Sequence, residues 1–168
     1  MVANEIIKTV CVFDPALVGA DAKVVEKFSK NRDLSILQPY IKPSEVPAVY
    51  SVKRIDHLVF LRQCLGQTND EMKAVRAFQF GVVSIENMRN ADGSRVNWEP
   101  SGLIGETRYV TETELERISI AEILEIGRFA FELSFLPRTT VGGYRLPLSS
   151  AELWDRLQAP SADANRIT

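Results

Sequence analysis

The sequence predicts an α+β fold that is predominantly helical, a helix-bundle core with a small N-terminal antiparallel β element. Three observations carry this. Thr68-Asn-Asp-Glu71, Thr111-Glu-Thr-Glu114 and Ser119-Ile-Ala-Glu122 each set a hydroxyl three residues before a Glu, the reciprocal cap that opens a helix. Apolar residues then recur at three- and four-residue steps behind the first and third of these. Two strand-like stretches, residues 6–13 and 48–55, lie before residue 56. At 168 residues, the chain suits one core, assigned here to residues 1–159, with a small, polar, disordered tail over 160–168.

Residues 6–13 read as a strand, closed by the turn pair Asp14-Pro15. Asp21 is placed to cap a short helix with Val24, Val25 and Phe28 on its apolar side and Lys23, Glu26, Lys27 and Lys30 toward water. Pro39, Pro43 and Pro47 make the next stretch a stiff arm, since each ring removes a donor and extends the residue before it. Over 48–55, Tyr50 and Val52 face one side and Val49 and Ile55 the other, a strand expected to pair with the first.

Asp56 is expected to cap a short helix bearing Leu58, Leu61 and Leu65, with Gly66 as a left-handed stop. Thr68 then opens a long helix whose stripe runs Met72, Val75, Phe78, Val82 and Ile85, packed antiparallel to the one before. Asp92-Gly93 marks a tight turn closing a hairpin onto Val96 and Trp98. Over 120–136 the charges Glu122, Glu125, Arg128 and Glu132 fall in one narrow stripe. Ile126, Phe129, Leu133 and Leu136 form one apolar flank of this helix and Ile120, Ile123, Leu124 and Phe131 the other, so it is expected to pack on two sides. Gly127 in its middle fits a place where another backbone comes close. Pro137 ends the helix, and Ser149-Ser-Ala-Glu152 opens a last one with Leu153, Trp154 and Leu157.

A net charge of -2 gives no overall field toward nucleic acid or an anionic membrane. Neither signal peptide nor spanning run is present, which sets the expectation of a soluble cytoplasmic protein. Cys11 and Cys64 read as two buried hydrophobes. His57, the single histidine, has no nucleophile or metal partners nearby in sequence. The acidic cluster Glu112, Glu114, Glu116, Glu122 and Glu125 is read against a divalent cation, since the first three suit a helix N-terminus and a row along one helix does not converge as oxygen ligands must. Gly142-Gly143 leads into Tyr144-Arg145-Leu-Pro rather than a helix, so it is no phosphate loop. Lys53-Arg54 with Tyr50, and Arg89 with Arg95 and Trp98, form no sustained basic stripe. No catalytic, cofactor-binding or metal-binding residue is assigned.

Between residues 47 and 136 the order of segments "VYSVKRI", "GVVSIENM", "DGSRVNWEP" and "ILEIGRFAFELSFLP" resembles small accessory proteins of tailed bacteriophages, most of all tail assembly chaperones. The resemblance implies a viral, non-enzymatic role with protein partners, the tape-measure and tail proteins among them, and carries over no functional residue. The N-terminal strand and the proline-rich arm depart from a simple helical chaperone and leave a virion connector or structural component open. The alternative is a small enzyme or ligand-binding domain with a pocket between helices lined by His57, Tyr50, Arg54 or Tyr144. The candidate interaction surface is Ile126, Phe129, Leu133 and Leu136 with Tyr50 and Arg54, and the two-flanked helix raises the expectation of a homo-oligomer.

Overall fold

β-branched residues at alternating positions form the first two strands, β1 (Ile6–Val10) and β2 (Val49–Lys53), which pair antiparallel with Ile7 opposite Val52 and Thr9 opposite Tyr50. The computed structural model describes residues 6–17, 19, 21–42, 45–90 and 92–135. Two further strands, β3 (Val82–Arg89) and β4 (Arg95–Trp98), extend the sheet in the order β1-β2-β3-β4, antiparallel throughout. The Asp92-Gly93 turn closes the β3–β4 hairpin, with Met88 opposite Val96 and Ile85 opposite Trp98.

This architecture corrects the helix-bundle expectation. The centre of the molecule is a four-stranded antiparallel sheet with helices on its faces, and a separate two-stranded hairpin, β5 (Gly102–Ile104) and β6 (Thr107–Tyr109), follows it. The physical reason lies in β3. The long helix expected through Ile85 stops at Gly81, and Val82 begins a strand. That strand carries one extra residue relative to β2, near Val83, and another relative to β4, before Met88, where Asn87 takes φ 61°. Each extra residue shifts the inward side by one position. The buried residues therefore fall at Val82, Ile85 and Met88, every third position, a spacing that mimics a helix face.

The helices are α1 (Ala22–Asn31), α2 (Leu34–Leu37), α3 (His57–Val59) running into a π-helical turn (Phe60–Leu65), α4 (Asp70–Gly81), α5 (Glu112–Leu115) and α6 (Ile120–Phe135). Asp21 caps α1 by accepting from the Val24 N–H at 3.0 Å, and Thr111 with Glu114 makes the full reciprocal cap on α5. The other caps differ from expectation. Asn69, one residue after Thr68, caps α4 by accepting from the Met72 N–H at 2.7 Å. Asp56 precedes α3 without a side-chain capping bond, and Gly66 ends the π turn in the right-handed region, φ -70°, rather than the left-handed one.

The sheet divides two apolar clusters. On one face Ile7, Tyr50, Val52, Val82 and Ile85 pack with Phe78 of α4 and with Ile126, Phe129 and Leu133 of α6. On the other, Val10 and Val49 pack with Phe28 of α1 and Leu34 and Leu37 of α2. The two long helices meet through small residues: a Cβ on Gly127 would lie 2.1 Å from the Ala74 carbonyl oxygen, and one on Gly81 would lie 2.9 Å from the Ala130 Cβ. Among the described residues no helix is long and apolar enough to cross a membrane. The expected helix from Ser149, the Gly142-Gly143 turn, the boundary at 159 and the tail over 160–168 lie outside the described residues.

Gly127→Ala should destabilise the fold by about 3 kcal/mol or more, because the obstacle is backbone and α6 must lift away from α4 to admit the methyl group. Urea denaturation compares the two proteins. An unchanged midpoint would show that α4 and α6 do not touch at this point.

Candidate functional site

A cleft of 720 Å³ opens where the α5–α6 turn stands over the sheet end formed by Ala48, Tyr50, Met88 and Arg95. Its floor holds a pair that sequence spacing does not show. Tyr50, inward on β2 and almost fully buried, donates its hydroxyl to Oε2 of Glu122 at 2.7 Å. Glu122 sits in the first turn of α6, where the Ser119 hydroxyl accepts from its N–H at 3.2 Å. The carboxylate expected to complete that cap has turned to Tyr50 instead. Burial raises the Glu122 carboxyl above its ordinary range, against the lowering effect of the Tyr50 hydrogen bond. Burial first, and the Glu122 charge second, push the Tyr50 phenol up as well.

Asp14 forms the second part of the cleft lining. Its two oxygens accept from the Ala16 N–H and the Ala48 N–H, each at 2.9 Å, which ties the turn after β1 to the start of β2. Burial raises this carboxyl, and the two N–H bonds oppose the rise. Around the mouth, Arg95 donates to the carbonyls of Val46 at 3.0 Å and Asn87 at 3.2 Å, Arg89 lies 3.6 Å from Glu45, and Arg117 is exposed on the α5–α6 turn. Asp92 and Glu116 supply opposite charge on the same rim. Hydrogen bonds from the Ser94 hydroxyl and N–H hold Asp92 below the ordinary carboxylate range.

The cleft lining combines apolar, polar and charged groups. Ala48 and Met88 give an apolar floor, Tyr50 and Glu122 converge on it, and charges of both signs ring the opening. The two thiols lie elsewhere in the core: burial raises Cys11, helped by the charge of Glu125, and burial pushes Cys64 up to about 12. Among the described residues no group of three or more His, Cys, Asp or Glu is placed to hold a metal.

A second buried pair supports α6 from behind. Arg32 follows α1 at φ 54°, and its guanidinium lies 2.8 Å from Glu125 of α6, between the rings of Phe28 at 5.0 Å and Phe129 at 4.7 Å. Burial raises the Glu125 carboxyl, with Arg32 pulling the other way.

The residues named from sequence are dispersed. Tyr50 reaches the cleft, Arg54 is half-buried beyond the end of β2, and His57 is exposed at the start of α3, outside the cleft lining. Ile126, Phe129 and Leu133 are 0%, 2% and 2% exposed and pack against the sheet and α4, so in this fold they present no surface. Leu136 and Tyr144 lie outside the described residues. Sequence reasoning did not single out Asp14, Glu122 or Arg117 for a site. Asp14 read as a turn residue, Glu122 as half of a cap and as one of an acidic cluster set aside as a cation site, and Arg117 carried no signal.

Comparison with protein-family models, curated proteins and solved structures finds no match.

A carboxyl raised in the folded state takes its proton before the unfolded chain does, so its contribution to stability falls as pH rises above 4.5 toward the folded value. Glu122→Gln removes that slope. The stability of Glu122→Gln relative to the unmutated protein should therefore increase between pH 4.5 and pH 7. Urea titrations across that range measure it, and a constant difference would mean that Glu122 titrates as it does in the unfolded chain.

Proposed function

We propose that this chain is a non-enzymatic assembly or interaction protein of bacteriophage type, possessing a groove that holds a segment of a partner protein. The cleft over the β2–β3 end of the sheet carries this reading. It has apolar lining from Ala48 and Met88 and both cationic and anionic side chains around it. Its central groups, Tyr50 and Glu122, satisfy one another, and burial takes the phenol further from ionisation. Such a surface suits an amphipathic peptide segment better than bond-making chemistry. The order of segments between 47 and 136 supports the tail assembly chaperone type, for which the partners are tape-measure and tail proteins. The virion connector type would use the same groove and differ in remaining with the assembled particle.

Co-expression with tape-measure and tail proteins followed by pull-down tests the reading. Arg117→Glu, an exposed change on the rim, should lower capture by about tenfold, the ~1.4 kcal/mol expected where a rim charge facing the partner is reversed. Capture of none of these proteins would end it, and equal capture by Arg117→Glu would place the partner elsewhere.

One observation favours a second reading, a small-ligand site: the cleft volume falls within the roughly 300–1,000 Å³ of such sites, with two polar groups converging on an apolar floor. A metabolite or nucleotide held there at a hundred times its dissociation constant should stabilise the protein by ~2.7 kcal/mol, readable as a thermal shift. No shift across nucleotides, metals and metabolites would remove this reading.

A further inference from the structure

Glu122 differs from the other carboxylates held inside this fold. Glu125 meets Arg32 at 2.8 Å, Glu86 meets Lys8 at 2.8 Å, and each oxygen of Asp14 accepts a backbone N–H at 2.9 Å. Glu122 has the Tyr50 hydroxyl on Oε2 and, among the described residues, no cation within ion-pair distance. Its other oxygen, Oε1, accepts no hydrogen bond from them and is open to solvent. A half-buried carboxylate of this kind lacks a counter-ion, and a cleft leads to it.

We propose that the cleft seats a lysine side chain of the bound segment, its ammonium on Oε1 of Glu122 and its stem along Ala48, Met88 and Ile118. This deepens the groove reading above and rests on it. The three apolar residues line the same cleft as Glu122 and suit the four methylenes of a lysine stem. Tyr50, almost fully buried, fixes the carboxylate before anything binds, so little freedom is lost on binding. The fork of an arginine pairs best with both oxygens of a carboxylate, and Tyr50 already holds one of them; an ammonium needs only the other. The surrounding charges leave room for it. Burial, and after it the charge of Asp14, raise the Glu122 carboxyl, and a cation there relieves both effects. Arg95 is turned to the Val46 and Asn87 carbonyls and Arg89 lies beside Glu45; both draw down Asp14. Arg117 stays exposed at the mouth, where Asp92 and Glu116 offset it.

Two probes that differ in the ammonium alone test this on the full chain: N-acetyl-lysine N-methylamide and the norleucine derivative, which has the same stem without the charge. Nitrogen-15 NMR titrations following the Ser119 and Glu122 amides give both affinities. The lysine derivative should bind about tenfold more tightly than the norleucine one, the preference expected of one charge-assisted hydrogen bond. Glu122→Gln should bring the two within about twofold of each other, while Glu116→Gln, an exposed change on the rim, should keep the preference. Equal binding of the two derivatives by the unmutated protein, binding of neither, or a preference that survives Glu122→Gln would each overturn the inference. A preference lost on Glu116→Gln would overturn it too, by moving the ammonium to the rim. The two readings fail separately. Capture of tail proteins without a lysine preference leaves the groove and ends the lysine anchor, whereas the lysine preference without any capture leaves a cation site and ends the groove's assigned partners.

Discussion

The backbone contact between Gly127 and Ala74 sets the position of everything α6 carries. A helix that presses another helix through a glycine is seated at a fixed height, since any side chain there would hold the two apart. Five residues before the contact, about 7.5 Å along the axis, Glu122 reaches Tyr50 in the cleft floor. Two residues before it, Glu125 meets Arg32. Both polar pairs are buried, and neither can form unless α6 lies this close to α4 and the sheet. The apolar packing of Ile126, Phe129 and Leu133 supplies the driving force, while the glycine supplies the geometry.

The Arg32–Glu125 pair joins the two clusters that the sheet keeps apart, since Phe28 belongs to one and Phe129 to the other. A buried ion pair is weak grounds for stability, because removing two charges from water costs several kcal/mol per ion on an order-of-magnitude scale. Its value here lies in geometry. Arg32 occupies the left-handed region after α1, where glycine is the usual residue, and donates its N–H to the Phe28 carbonyl at 2.7 Å. A glycine would end the helix with less strain and would lack the guanidinium that reaches α6. On the same second face of the sheet, Lys8 crosses β2 to meet Glu86 of β3 at 2.8 Å, so three strands are tied at one level.

What could be read in the sequence was whatever a short window contains. The alternation around Tyr50 and Val52, the Asp92-Gly93 turn, the Thr111–Glu114 cap and the close approach at Gly127 each declare themselves within a few residues, and each is in the structure. The sheet's third strand was illegible because its burial period had been altered from two to three. The apolar flank of α6 could be read as apolar, but whether sheet, helix or a second molecule covers it depends on residues distant in sequence. The cleft is the extreme case: Asp14, Tyr50, Arg89 and Glu122 come from four separate segments, and their convergence is a property of the topology.

The two irregularities in β3 also act as index marks. A regular strand can slide along its neighbour by two residues and still present a side chain to each old position, so its register rests on side-chain fit. β3 has no such freedom. Sliding it would carry Val83 and Asn87 away from the points where β2 and β4 accommodate an unpaired residue, and would break the bonds that Asn87 makes to the Val46 carbonyl and to the Asn97 side chain. The central strand is thereby notched on both edges, against different partners, and the sheet has one alignment in which both notches are filled.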